Sequence, residues 1–163
     1  MSGAIVETDR AGTLVGSSYV HATARHWARF GKLFLDNSVR DGTRILPKGW
    51  VVEATTPAAA SPNGCYGFQL WLNRGSASGV RPRPSLPADL ILFNGSFGQF
   101  LAVVPGARVI VVSLGETHDW NIDVDPDPLI APLIGAVCPG QHYASAESHR
   151  SPRPDAALRR PKG

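Results

Sequence analysis

The sequence predicts an α+β fold: two helices, then an antiparallel sheet, then a closing helix. Three observations carry this. Large apolar residues recur at helical spacing between positions 23 and 36. From about position 66 to 114 the apolar period falls to two and the segments shorten. Glycine (17) and proline (14) are frequent among the 163 residues, which favours turns and short elements over a long bundle. Helices first and strands afterwards is the order of an α+β domain rather than of alternating βα units.

Each element follows from local chemistry. Residues 1–22 read as irregular. Thr23 suits a helix N-cap, and Trp27, Phe30, Leu33 and Phe34 form an apolar stripe with Arg25, Arg29 and Lys32 opposite. That helix is expected to end near Asp36, because Asn37-Ser38 and Asp41-Gly42 are turn formers. A second, shorter helix is expected from Leu46-Pro47 through Trp50-Val51-Val52, since proline suits a first helical turn. Residues 57–64 read as a loop ending in an Asn-Gly turn. Tyr66, Phe68, Leu70 and Leu72 alternate with Gly67, Gln69 and Trp71, which predicts a strand. Residues 74–88 read as a mobile surface loop. Asp89–Asn94, Gln99–Val104 and Arg108–Leu114 are three further strands, the last two joined by the tight turn Pro105-Gly106-Ala107. Residues 129–138 are apolar and helical in character, with Pro132 marking a kink or the true start. From Pro139 the chain is Pro, Ser, Ala and Arg, the composition of a disordered tail.

Apolar residues make up 43% and charged residues 18% of the chain, enough for one domain with a core but not for two. The formal charge of +3 is confined to the end of the chain. Residues 1–138 hold 11 Lys+Arg against 11 Asp+Glu, whereas residues 139–163 hold 5 against 2. A neutral body offers no basic face to nucleic acid. No stretch reaches the roughly 20 apolar residues of a membrane span, and residues 1–12 have no signal-peptide character. No nucleic-acid or membrane partner is therefore expected, and the chain as written is expected to be cytoplasmic, although an intact parent could be exported.

The chemistry is defined largely by what is missing. Cys65 and Cys138 lack zinc-ligand company and are read as thiols, with a single disulfide left open. Asp119-x-Asn121-x-Asp123 begins like a calcium loop, but Val124 stands where glycine is needed and Ile130 where the closing glutamate is needed. No metal and no cofactor are expected. No Walker loop, no dinucleotide-binding glycine pattern and no Gly-x-Ser-x-Gly elbow is present. A serine needs a neighbouring base to become a nucleophile. The residues three before Lys32, Lys48 and Lys162 are Arg29, Ile45 and Arg159, so Ser-x-x-Lys is absent. Tyr-x-Asn is absent as well. Ser61-Pro62-Asn63 matches Ser-x-Asn formally, but the following Gly64 makes it a turn. His21, His26, His118, His142 and His149 have no nucleophile or orienting acid by spacing.

Four segments, in order, resemble the serine hydrolases of the β-lactamase/penicillin-binding superfamily, and among them the 6-aminohexanoate-dimer hydrolase and esterase-like members. Residues 16–31 (GSSYVHATARHWARFG) resemble a helix entry. Arg44-Ile45-Leu46-Pro47-Lys48-Gly49-Trp50-Val51 is similar to the next helix. Tyr66-Gly67-Phe68-Gln69-Leu70-Trp71-Leu72 resembles the strand re-entering the sheet. Gly95-Ser96-Phe97-Gly98-Gln99, followed by Val103-Val104-Pro105, resembles the active-site strand. The resemblance covers about residues 6–138 and implies a C-terminal part of a β-lactamase-related domain, with 139–163 a disordered basic tail.

It further implies that Ser96, Phe97 and Gly98 border the substrate and that the Gln99 backbone N–H is one of two oxyanion donors. Relatives commonly read Gly-His-x-Gly-Gln here, so a hydroxyl at Ser96 replaces an imidazole. Losing one oxyanion donor costs about 2.7–4 kcal/mol, and the serine that supplies the other is not in this chain. His26 stands where relatives often carry aspartate, which removes a capping box. The expected activity is ester or amide hydrolysis through an acyl-serine, silent in this chain alone. The alternatives are one half of a two-chain hydrolase, completed by an N-terminal complementary fragment, and a non-enzymatic binding module that self-associates.

Overall fold

The computed structural model describes residues 3–15, 18–76, 79–116 and 125–138. The expected tail, 139–163, with His142 and His149, and the segment 117–124, with His118 and Asp119-x-Asn121-x-Asp123, lie outside them. The described part is α+β, with antiparallel sheets and few helices.

Helix α1 spans Ala24–Leu35, within one residue of its expected bounds. Thr23 caps it, its Oγ1 accepting from the His26 N–H at 3.3 Å, and Asp36 ends it. It is preceded by a two-residue hairpin of β1 (Ile5–Val6) and β2 (Val20–His21), which the apparently irregular start of the sequence did not reveal. A second small hairpin follows α1, β3 (Val39–Arg40) with β4 (Thr43–Arg44). Its turn residues Asp41 and Gly42 have φ of 49° and 76°, the paired positive values a two-residue hairpin turn requires. Helix α2 is only Trp50–Ala54. The expected start at Pro47 is corrected: Gly49 is left-handed at φ 85°, so the chain turns before the helix begins.

The expected strand 66–72 shrinks to β5, Trp71–Leu72. Gln69 takes φ 55°, and the Gly67 N–H donates to the Leu70 carbonyl at 2.9 Å, folding 66–70 into a turn. The Phe68 N–H instead donates to the Ala54 carbonyl, and its ring stays exposed. Beyond it run β6 (Ile91–Asn94), β7 (Phe100–Val104) and β8 (Val109–Ser113), an antiparallel meander in the order β5-β6-β7-β8. Ile91 pairs with Val103 and Asn94 with Phe100, while Phe100 pairs with Ser113 and Val104 with Val109.

Alternation along these strands builds two apolar layers. Leu92, Phe100, Ala102, Val104 and Val111 meet α3 (Asp127–Val137) through Ile130 and Ile134, both wholly buried. Leu72, Ile91, Leu101 and Val103 meet Phe34 of α1 and Val51 and Ala54 of α2. Each large side chain so buried contributes roughly 1.5–3 kcal/mol. Phe93 joins the second layer, its ring centroid 5.5 Å from that of Phe30 and 5.1 Å from that of Phe34, edge to face. Gly31 permits this close approach: a Cβ there would stand 3.2 Å from Ile110 and 3.3 Å from Leu101 and Val103.

Within the expected mobile surface loop 74–88, the stretch from Arg83 to Pro87 is tethered rather than free. Asn73, wholly buried, donates from Nδ2 to the carbonyls of Arg83 (2.8 Å), Leu86 (3.1 Å) and Pro87 (2.9 Å). Its Oδ1 accepts the Arg83 N–H at 2.9 Å. Leu86 is thereby set into the core. Helix α3 starts at Asp127, earlier than expected, and Pro132 lies inside it rather than at its start.

Candidate functional site

The four residues expected to form the site lie together, but between strands rather than on one. Ser96–Gly98 form a 3₁₀ turn joining β6 to β7, in the gap left between the two expected strands and not on the single strand that the resemblance implies. The cause is local. Phe97 and Gly98 both take positive φ, 60° and 77°, and a strand cannot continue through them. The Gly95 N–H donates to the Gln99 carbonyl at 2.7 Å and closes the loop. A Cβ on Gly95 would meet that of Gln99 at 3.2 Å, so the crossing is made where one side chain is missing. A bulky residue at positive φ is strained, and Phe97 carries that strain while its side chain is half-buried.

Ser96 is exposed; Gly98 and Gln99 are half-buried. The Gln99 N–H points back into the turn, donating to the Ser96 carbonyl at 3.3 Å, and the Gln99 side chain donates to the same oxygen at 3.2 Å. Both bonds are long, near the limit at which such contacts weaken. The loop itself offers backbone N–H groups, the Ser96 hydroxyl and the Gln99 amide.

Other sequence candidates fall elsewhere. Asn63 and Gly64 have φ of 57° and 59°, so Ser61-Pro62-Asn63 is a turn. Ser61 Oγ accepts the Tyr66 N–H at 2.9 Å and lies 3.6 Å from the Cys65 sulfur. Cys65 and Cys138 are half-buried and form no disulfide, and Cys138 Sγ donates to the Ala107 carbonyl at 3.7 Å. His21 pairs with Glu7 at 2.8 Å on the surface. His26 buries Nδ1, which has no hydrogen-bond partner among the described residues.

Sequence reasoning missed a charged cluster at the start of α3. Arg83 Nη1 contacts Asp125 Oδ1 at 2.7 Å and also Asp127 Oδ1. Ser85 Oγ donates to Asp127 Oδ2 at 2.9 Å, and the Asp127 N–H donates to Asp125 Oδ1 at 3.1 Å. Arg83 and Asp127 stand 44 positions apart, so no local pattern could pair them. Burial holds the Asp127 carboxyl above the ordinary aspartate range and outweighs the Arg83 charge. Burial pushes Asp125 the same way, but the Asp127 N–H and Arg83 overcome it, and Asp125 sits below the ordinary range.

The two shifts act oppositely on stability. A lowered carboxyl supports folding above the unfolded value and loses that support as pH falls; a raised one supports folding at low pH and loses it as pH rises through its folded value. The cluster is therefore most favourable near the ordinary aspartate value. Asp127→Asn removes the upper limb. Its stability relative to the parent chain is expected to improve as pH rises from about 4 to 7. Urea midpoints of both proteins across that range test this, and a difference flat with pH would refute it.

Sequence comparison points to a hydrolase of the β-lactamase family as a distant relative. That relative is the 6-aminohexanoate-dimer hydrolase of Paenarthrobacter ureafaciens, 30% identical over 137 residues. The match covers 72% of this chain and 31% of the hydrolase, so the chain spans about a third of the length of its curated relative. No protein-family model matches the chain.

Proposed function

We propose that this chain is the sheet-bearing, C-terminal part of a serine hydrolase of the β-lactamase/penicillin-binding type. Such an enzyme cleaves ester or amide bonds through an acyl-serine, and this part is silent without the part that carries the nucleophile. The observation that carries the reading is the match to a hydrolase over most of this chain and less than a third of that enzyme. The absence of Ser-x-x-Lys and Tyr-x-Asn from the 163 residues supports it.

In this reading the 95–99 loop borders the substrate. Ser96 offers a hydroxyl to a polar substrate group, Phe97 an apolar wall, and Gly98 a close backbone approach. The Gln99 N–H exchanges its long bond to Ser96 for the developing oxyanion, which is a small loss because the bond is weak. The missing helix supplies the serine, its lysine and the second donor. The partner is accordingly an N-terminal complementary portion, and no metal or cofactor takes part.

The test is hydrolysis of a chromogenic p-nitrophenyl ester by the purified chain, alone and co-expressed with a complementary segment bearing Ser-x-x-Lys and Tyr-x-Asn. The chain alone is expected to give no turnover above buffer, and the pair is expected to form a complex that turns the ester over. Labelling of the chain alone by a fluorophosphonate at one defined serine would overturn its silence. Failure of the pair to form a complex or to act would overturn its role.

A further inference from the structure

We propose that the side-chain amide of Gln99 is a positioning group: it holds the Ser96 carbonyl, so that the Gln99 backbone N–H can leave that carbonyl for a developing oxyanion. This rests on the reading above, in which the N–H borders the substrate, and it gives the side chain of the same residue a part. Two donors of one residue converge on one acceptor. The backbone N–H donates to the Ser96 carbonyl at 3.3 Å and Nε2 donates to it at 3.2 Å. A carbonyl oxygen has two lone pairs and accepts both at once. The departure of either donor therefore leaves it satisfied.

The backbone around this carbonyl confines the change to one peptide plane. The Gln99 carbonyl accepts the Gly95 N–H at 2.7 Å, a shorter bond than either one to Ser96. Turning the N–H between Gly98 and Gln99 changes ψ of Gly98 and φ of Gln99 and leaves that closing bond in place. Gly98 stands at φ 77°, a left-handed position that glycine leaves and re-enters at little cost. Gln99 has extended backbone and lies in a broad allowed region. Ser96 is exposed in this chain, and a substrate seated on the loop covers it. A carbonyl so covered and stripped of its donor would carry a desolvation cost. Nε2 removes that cost at the moment the N–H turns to the substrate, so the N–H bond to the oxyanion is gained without an orphan behind it.

Gln99→Met keeps the length of the side chain and removes its donor, and it is read in two ways. In the chain alone, amide hydrogen exchange at position 99, followed by NMR, reports the bond to Ser96 without any catalysis. With the side-chain donor gone, opening that bond leaves the carbonyl with neither donor of residue 99. The position-99 amide is then expected to exchange about fivefold more slowly than in the parent, after correction for its intrinsic rate. In the pair with a complementary segment, Gln99→Met is expected to lower kcat for the p-nitrophenyl ester about tenfold and to leave KM within about threefold. Gln99→Glu, which also lacks a donor, is expected to lose at least as much. A merely structural role would move the melting temperature instead, which is expected to stay within about 2 °C. Unchanged exchange at position 99 overturns the proposal whether or not the pair is active. So does an active pair in which Gln99→Met keeps the parent kcat. An inactive parent pair counts against the proposed function and not against this contact, which the exchange measurement decides by itself.

Discussion

Asn73→Ala is expected to lower the unfolding free energy by about 4 kcal/mol, read from urea or guanidinium denaturation. One amide holds three carbonyls and one N–H of the segment from Arg83 to Pro87, and it does so with no exposure to water. Truncation leaves those buried groups without partners. Each orphaned group costs roughly 1–3 kcal/mol of desolvation, more than the bond itself contributed. The loss spreads outward, because the same segment presents Leu86 to the core and Arg83 to the carboxylates before α3. Asn73→Asp keeps the acceptor for the Arg83 N–H but faces three carbonyls with a charge, so it is expected to be no better than alanine. If either variant melts within about 1 kcal/mol of the parent, the 81–87 segment is not held by Asn73.

Gly64→Ala is expected to cost about 3 kcal/mol or more, and Gly79→Ala only about 1 kcal/mol. Both glycines have positive φ, 59° and 80°, so both substitutions carry the left-handed penalty. Only Gly64 also carries a collision. A Cβ there would stand 2.3 Å from the Gly75 carbonyl oxygen, a backbone atom that no side-chain rotation removes. Gly79 has nothing within 4 Å. The difference between the two midpoints isolates the crossing of the 61–64 and 74–76 backbones from the conformational term. Equal effects would mean that the crossing is loose.

How much of this was legible depends on whether the information was local. Thr23, the Trp27–Phe34 stripe and Asp36 define α1 within a single stretch, and the structure follows them. Alternation from Ile91 to Ser113 gave the three long strands and their antiparallel order for the same reason. The segment 66–72 alternates just as well, yet Gln69 turns it, because the Phe68 N–H is taken by Ala54 twelve or more positions back. The long loop looked free because its tether, Asn73, is an ordinary polar residue in sequence and becomes special only when 83–87 folds over it. Of the candidate site the sequence shows only that residues 95–99 are a glycine-bounded break between two apolar runs, and the structure has a turn there. Its geometry was not legible, since nothing about a phenylalanine announces a left-handed backbone at position 97.

The two layers also set an order of events during synthesis. Trp27, Phe30 and Phe34 leave the ribosome long before Leu101, Val103 and Ile110, the residues that cover Gly31 and its neighbours. Until roughly seventy more residues have been made, α1 carries a sticky aromatic stripe with no sheet to receive it. A nascent chain paused between the two would be the form most in need of a chaperone.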